Sequence, residues 1–178
     1  PAGWFDSGGD ELAIGGLPRQ TVWIDGFVIQ KHPVTHLKYL QFLNHLAQNG
    51  QLSRAFEYSP RENNAPIQED GGLYGYTETE GFHIVPDADG DLWDPMWPVF
   101  WIDHASATAY GEWASEQSGK AWMLPSELEW EKAARGVDRR SYPWGNGFEA
   151  TWACMRNSIK GFSMPSSIDS FPVDTSPY

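Results

Sequence analysis

Leu37, Leu40, Leu43 and Leu46 recur at three-residue steps, a spacing that on a helix of 3.6 residues per turn keeps neighbours on adjoining positions of one surface. Thr35 stands before the run as a capping hydroxyl, and Asn49-Gly50 closes it, so the pattern predicts a helix over 36–49. Ala105, Ala109, Tyr110 and Trp113 repeat the theme between an Asp103 cap and a Gly119 stop, predicting a helix over 104–117. The third helix is short. Ser126-Glu127-Leu128-Glu129 forms a capping box, an apolar stripe runs through Leu128 and Ala133, and Gly136 ends the segment, giving a helix over 127–135.

Strand signals are weaker. Residues 20–29 alternate around Asp25-Gly26 and predict a β-hairpin, Trp97–Ile102 reads as an apolar strand, and Gly3-Trp4-Phe5 with Ser7-Gly8-Gly9 reads as turn. Residues 53–95 dissolve into Gly, Pro, Asp and Asn, with Gly71-Gly72, Asp89-Gly90 and Asp94-Pro95 as turn signals, so a long loop or insertion with short strands is expected there. Beyond Gly136 no helix is expected. The whole reads as one α+β domain over 1–178, with about three short helices, short antiparallel strands and much irregular chain, at a length able to bury a core.

Charge narrows the partners. The 24 acidic residues outnumber 12 basic ones, giving −12, which repels a nucleic-acid backbone or an anionic membrane surface. No run of 18 apolar residues exists, so membrane insertion is not expected. Cys154 stands alone in the chain, which excludes an internal disulfide framework and a cysteine-rich zinc cluster within it. The lack of disulfides and of a signal-peptide pattern favours a soluble, cytoplasmic protein, and the opening Pro1 reads as an excised or trimmed piece.

Several side chains are candidates for chemistry. His32 and His36 stand four apart, but Pro33 keeps His32 out of the helix and no third ligand follows, so both read as structural. Asp87-Ala88-Asp89-Gly90-Asp91 resembles the first half of a calcium loop that lacks its closing bidentate Glu. Cys154, between Ala153 and Met155, reads as a buried small hydrophobe. Glu129 belongs to the capping box, while Glu127 and Glu131 read as members of a solvated helix face. Ten Trp leave room for both core anchors and ligand contacts; Trp93, Trp97, Trp144 and Trp152 are the candidates for the latter.

Three stretches in order resemble the formylglycine-generating-enzyme, or sulfatase-modifying-factor, family. They are Ile24-Asp25-Gly26-Phe27-Val28-Ile29-Gln30-Lys31-His32-Pro33-Val34-Thr35, then Pro98-Val99 leading to Ala109-Tyr110 and Trp113, then Leu124-Pro125-Ser126-Glu127-Leu128-Glu129-Trp130-Glu131-Lys132-Ala133-Ala134-Arg135-Gly136. Tyr142-Pro143-Trp144-Gly145-Asn146 follows as the family pattern requires. The resemblance implies a C-type-lectin-like fold. Residues 93–99 and 169–178 look most like versions attached to bacterial Ser/Thr kinases and other signalling proteins, which implies binding of a protein or small molecule, with a kinase as fusion or partner. Variable proteins of diversity-generating retroelements are similar in style.

The resemblance also implies a calcium loop after the Trp-Gly motif; its Asn position falls at Trp152-Ala153, leaving Asn157 and Asp169 as candidate ligands. The family normally continues past the equivalent of Ser176-Pro177-Tyr178. Oxidase members carry their copper-binding cysteine pair in that continuation, and the sulfoxide-synthase relatives carry iron-binding histidines in a preceding domain. Copper is therefore expected only with downstream cysteines, and no catalytic residue is assigned in this chain. The expectation is a non-catalytic binding or sensory domain, with a copper-dependent formylglycine-generating oxidase as the alternative.

Overall fold

The computed structural model describes residues 1–10, 15–61, 72–156, 158 and 164–178. They form two compact units: Pro1–Lys31 with Pro125–Met164 and Asp169–Tyr178, and His32–Leu124 with Pro165–Ile168. Among the described residues no helix is long and apolar enough to cross a membrane.

The second unit is built on α1 (His36–Gln48), whose first turn is capped by the Thr35 hydroxyl accepting from Lys38 N. The buried face is His36, Tyr39, Phe42, Leu43 and Leu46. The leucine spacing predicts the helix correctly but not its inner face, and Leu37 is 46% exposed. At about 100° per residue, each three-residue step turns the stripe by about −60°, so Leu37 and Leu46 point in opposite directions. Tyr39 and Phe42 supply the aromatic core instead.

Around that face pack Ala55 of α2 (Leu52–Glu57), Phe82 of β4 (Gly81–Ile84) and Tyr110 of α3 (His104–Ser118). α2 corrects the expectation of loop from residue 53. Its N-cap Gln51 makes no side-chain capping bond, so no local start signal exists. Tertiary packing holds it instead, with Phe56 set edge-on to Phe82 at 5.1 Å and to Tyr76 at 5.6 Å. β3 (Tyr74–Thr77) pairs antiparallel with β4, Thr77 opposite Gly81. Asn44 of α1 clamps this hairpin by accepting from Phe82 N at 2.6 Å and donating to Phe82 O at 3.0 Å.

Trp97–Ile102 is not a strand. Pro95 O and Trp97 O accept from Leu37 N and His36 N, the exposed donors of the first turn of α1, and Val99 N donates to Val34 O. The apolar run is thus spent on closing a helix end. α3 begins where expected, with Asp103 accepting from Ser106 N at 2.7 Å, and stops at Gly119 with φ 67°.

In the first unit β1 (Gly3–Ser7) pairs antiparallel with β2 (Gln20–Ile24), Phe5 opposite Val22. The predicted hairpin around Asp25-Gly26 does not form. Asp25 accepts from the Trp23 indole N–H, and Val28 beyond it is 86% exposed. The segment judged to be turn is the true partner of β2.

α4 (Glu127–Arg135) carries the full capping box. Its most buried side chain is Lys132, at 2% exposure, whose ammonium donates to Pro1 O and Gly3 O at 3.0 Å and to Ile24 O at 3.4 Å. Glu131 is no solvated acid either. It accepts from the Ser7 hydroxyl at 2.6 Å, from Gly8 N at 2.9 Å and from Arg135 at 2.9 Å. A further correction is a 3-10 turn, Ala150–Trp152, beyond Gly136.

Candidate functional site

The structure gathers the candidate tryptophans into two aromatic surfaces, one in each unit. In the second unit Trp93 is the hub. Its ring lies 5.6 Å from Trp97, 5.1 Å from Trp101, 6.3 Å from Phe100 and 5.5 Å from His36. Trp93 itself is buried beneath the exposed rings of this surface. Phe100 and Trp101 are the exposed members, and Trp97 is half-buried.

Asp87 fixes the hub. Its Oδ2 accepts from the Trp93 indole N–H at 2.8 Å, and its Oδ1 accepts from Asp89 N at 3.0 Å and Asp91 N at 2.9 Å. The Trp93 bond is the largest influence holding its carboxyl below the usual range, and the backbone amides add to it. Both carboxylate oxygens are thereby committed to N–H donors.

Trp101 sits at φ 57°, a left-handed conformation that is an outlier for a bulky residue, and Trp101 O accepts from Arg61 N at 3.1 Å. His36 lies beneath the hub, fully buried, with Nδ1 2.6 Å from the Tyr74 hydroxyl. Its Nε2 is buried with no hydrogen-bond partner among the described residues. Burial pushes the imidazole down to about 4 and raises the Tyr74 phenol, so both stay neutral at ordinary pH.

In the first unit Tyr142 and Trp144 stack at 5.3 Å and 4°, Phe148 lies 5.8 Å from Tyr142, and Trp152 stands edge-on to Trp144 at 6.1 Å. A tight loop holds the stack: Tyr142 and Gly145 exchange backbone bonds, and the Trp144 indole N–H donates to Gly147 O at 2.8 Å. Phe148 and Trp152 are exposed. The four tryptophans chosen from the sequence do not include the exposed rings Phe100, Trp101 and Phe148. The aromatic density of 93–101 was the available signal, but neither exposure nor the φ of Trp101 is written in residue type.

The metal candidates fare differently. Asp87, Asp89 and Asp91 share one turn, yet the Asp87 oxygens already accept three N–H groups, and no three His, Cys, Asp or Glu side chains among the described residues form a group suited to a metal ion. This turn does not fit calcium. Asn157 lies outside the described residues, and Asp169, exposed at φ 71°, stands 3.9 Å from Lys31 Nζ. Cys154 is exposed, not buried, with Sγ 3.7 Å from Met164 O. A single thiol does not fit the paired-thiolate requirement of a copper site.

The chain matches the family model of the sulfatase-modifying factor enzyme 1-like domain over residues 1–178 and belongs to that family. Membership carries the α+β, C-type-lectin-like fold seen here in short antiparallel strands and short helices. The chain is 30% identical over 161 residues to the uncharacterized protein YfmG of Bacillus subtilis, covering 84% of this chain and 27% of that one. It is 26% identical over 193 residues to the formylglycine-generating enzyme of Mycobacterium tuberculosis, with 90% and 58% covered. To that of Thermomonospora curvata it is 45% identical over 179 residues, with 82% and 51% covered. The chain spans between about a quarter and just over half the length of these curated relatives.

Proposed function

We propose that these residues act as a binding module, taking a protein or small-molecule ligand on exposed aromatic side chains held by a rigid frame. The observation that carries this reading is Trp101: its backbone is kept in a strained conformation while the residue stays 40% exposed against a buried, hydrogen-bonded Trp93. Strain of this kind persists only where surrounding structure over-determines it, and an ordered, exposed indole binds at low entropic cost. Exposed Trp152 and Phe148 offer a second contact area of the same character. The module serves a signalling protein, as a kinase fusion or a kinase partner, on the likeness of residues 93–99 and 169–178. The test is selection of a random dodecapeptide phage library on the full-length protein, followed by binding of the selected peptides to Trp101→Gly and Trp152→Ala variants. Peptides that bind both variants as well as the wild type would defeat the reading.

A second reading is a formylglycine-generating oxidase, favoured by the names of the Mycobacterium and Thermomonospora relatives. In that case the residues described here frame the substrate, and the copper-binding thiolates come from outside them, because Cys154 alone cannot supply a pair. Mass spectrometry of a sulfatase-type cysteine peptide after incubation with the full-length protein, copper and oxygen decides it: formylglycine supports this reading, and an unchanged peptide defeats it.

A further inference from the structure

Two Asn-Gly steps occur in the chain, Asn49-Gly50 and Asn146-Gly147, and all four residues are exposed. Such a step carries chemistry of its own, because glycine places no Cβ beside the backbone nitrogen that faces the amide carbon of the preceding asparagine. The fold treats the two steps differently. Asn49 closes α1 with ψ 22°, which turns the Gly50 amide away from the Asn49 side chain, and Gly50 N is further tied to Ala47 O at 3.2 Å. Asn49 Nδ2, the group that would have to leave, donates to His45 O at 2.7 Å.

Asn146 is arranged the other way. Its Oδ1 accepts from Ser141 N at 2.9 Å, so a fixed N–H points at the oxygen on which negative charge gathers when Cγ is attacked. Gly147 N has no hydrogen-bond partner among the described residues, and a Cβ placed on Gly147 would meet no atom within 4 Å. The nucleophile is therefore open. The same loop holds the Tyr142–Trp144 stack, fastened by the Ser141–Asn146 bond and by the Trp144 indole N–H donating to Gly147 O at 2.8 Å.

We propose that Asn146 is a site of self-modification: Gly147 N attacks Asn146 Cγ and converts the asparagine to aspartate and isoaspartate, and the isoaspartyl form unfastens the Tyr142–Trp144 stack. Gly147 N gives its proton to solvent as the N–Cγ bond forms. The Cγ–Nδ2 bond then breaks, and Nδ2 takes a proton from solvent and leaves as ammonia, closing a five-membered imide. Water opens the ring. Addition at Cγ gives aspartate, whereas addition at the backbone carbonyl carbon of residue 146 gives isoaspartate, whose main chain runs through Cβ and Cγ. That route sets one more carbon between the Cα of residue 146 and Gly147 N, so the Ser141 and Trp144 bonds cannot both be kept. Each conversion also adds one negative charge to the −12 of the chain, which makes the product separable.

The experiment ages the full-length native protein at mildly alkaline pH and follows tryptic peptides 141–156 and 39–54 by tandem mass spectrometry. Asn146 should convert at least about ten-fold faster than Asn49, since only one of the two steps leaves its nucleophile free to reach Cγ. Methyl transfer from S-adenosylmethionine by an isoaspartyl methyltransferase should label the product. Gly147→Ala, which the open space around Gly147 accommodates, should slow conversion about ten-fold by crowding the nitrogen. Hydrogen exchange at Tyr142 and Gly145 should be faster in the aged acidic fraction than in Asn146→Asp, which has the new charge on an unaltered backbone. Equal rates at Asn146 and Asn49, or an Asn146 that stays intact in the native protein while it converts in urea, overturn the site. Undiminished conversion in Gly147→Ala overturns the nucleophile, and exchange equal to that of Asn146→Asp overturns the unfastening.

Discussion

The indole N–H of Trp93 donates to Asp87 Oδ2 at 2.8 Å, joining a buried ring to the acidic turn that precedes it. Removing either partner has a calculable consequence. Asp87→Ala leaves the indole N–H without its acceptor and the 87–91 turn without its organiser, and should cost about 2 kcal/mol by urea denaturation. In a Trp93→Phe background the same change should cost less, because no buried donor remains to be orphaned; equal costs in the two backgrounds would show that the bond matters only to the turn.

His36 predicts a pH dependence of known sign. Its folded-state value is pushed down to about 4 from an ordinary 6.5 because burial disfavours the charged ring, so the unfolded chain takes up the proton first. Stability is intact above about pH 6.5 and falls as pH drops towards 4, by about 3 kcal/mol at the lower end. Urea midpoints measured between pH 7 and 4 should show this slope, and His36→Gln should flatten it.

Gly81 has φ 73°, and an added Cβ would come 2.3 Å from Asn44 Oδ1, the atom that accepts from Phe82 N. Gly81→Ala should therefore lower stability by about 2 kcal/mol, combining left-handed strain with damage to the Asn44 clamp. With Asn44→Ala already present the added cost should drop to about 1 kcal/mol, the strain alone. Thermal unfolding of the four proteins closes the cycle.

Lys132 gives its ammonium to three backbone carbonyls across Pro1, Gly3 and Ile24. Lys132→Met keeps the stem and removes the donor, so the change should cost about 2 kcal/mol and speed hydrogen exchange in β1 and β2 more than in α1. Uniform acceleration across the chain would mean that Lys132 supports more than the strand pair it touches.

What the sequence disclosed follows how local each signal is. The Ser126–Glu129 capping box, the Asp103 cap and the Gly119 stop act within a few residues, and each helix appears where its own residues place it. The pairing of Gln20–Ile24 with Gly3–Ser7 needs chain closure and a docked Lys132, neither of which alternation around Asp25-Gly26 reveals. α2 escaped because tertiary contacts through Ala55 and Phe56 stand in for a cap. At the candidate site, aromatic density pointed to Trp93 and Trp97; Trp93 is buried, and Phe100 and Trp101 are the exposed rings beside it. Cys154, judged buried from its apolar neighbours, is exposed, because neighbours in sequence do not determine which way a side chain faces.

The most direct test of the binding-module account is isothermal titration of one library-selected peptide into the full-length protein and into its Trp101→Gly variant, whose backbone the substitution relaxes rather than strains. The account predicts at least a thirty-fold loss of affinity, about 2 kcal/mol, with the fold kept by circular dichroism. Unchanged affinity for every selected peptide in Trp101→Gly and in Trp152→Ala would contradict it.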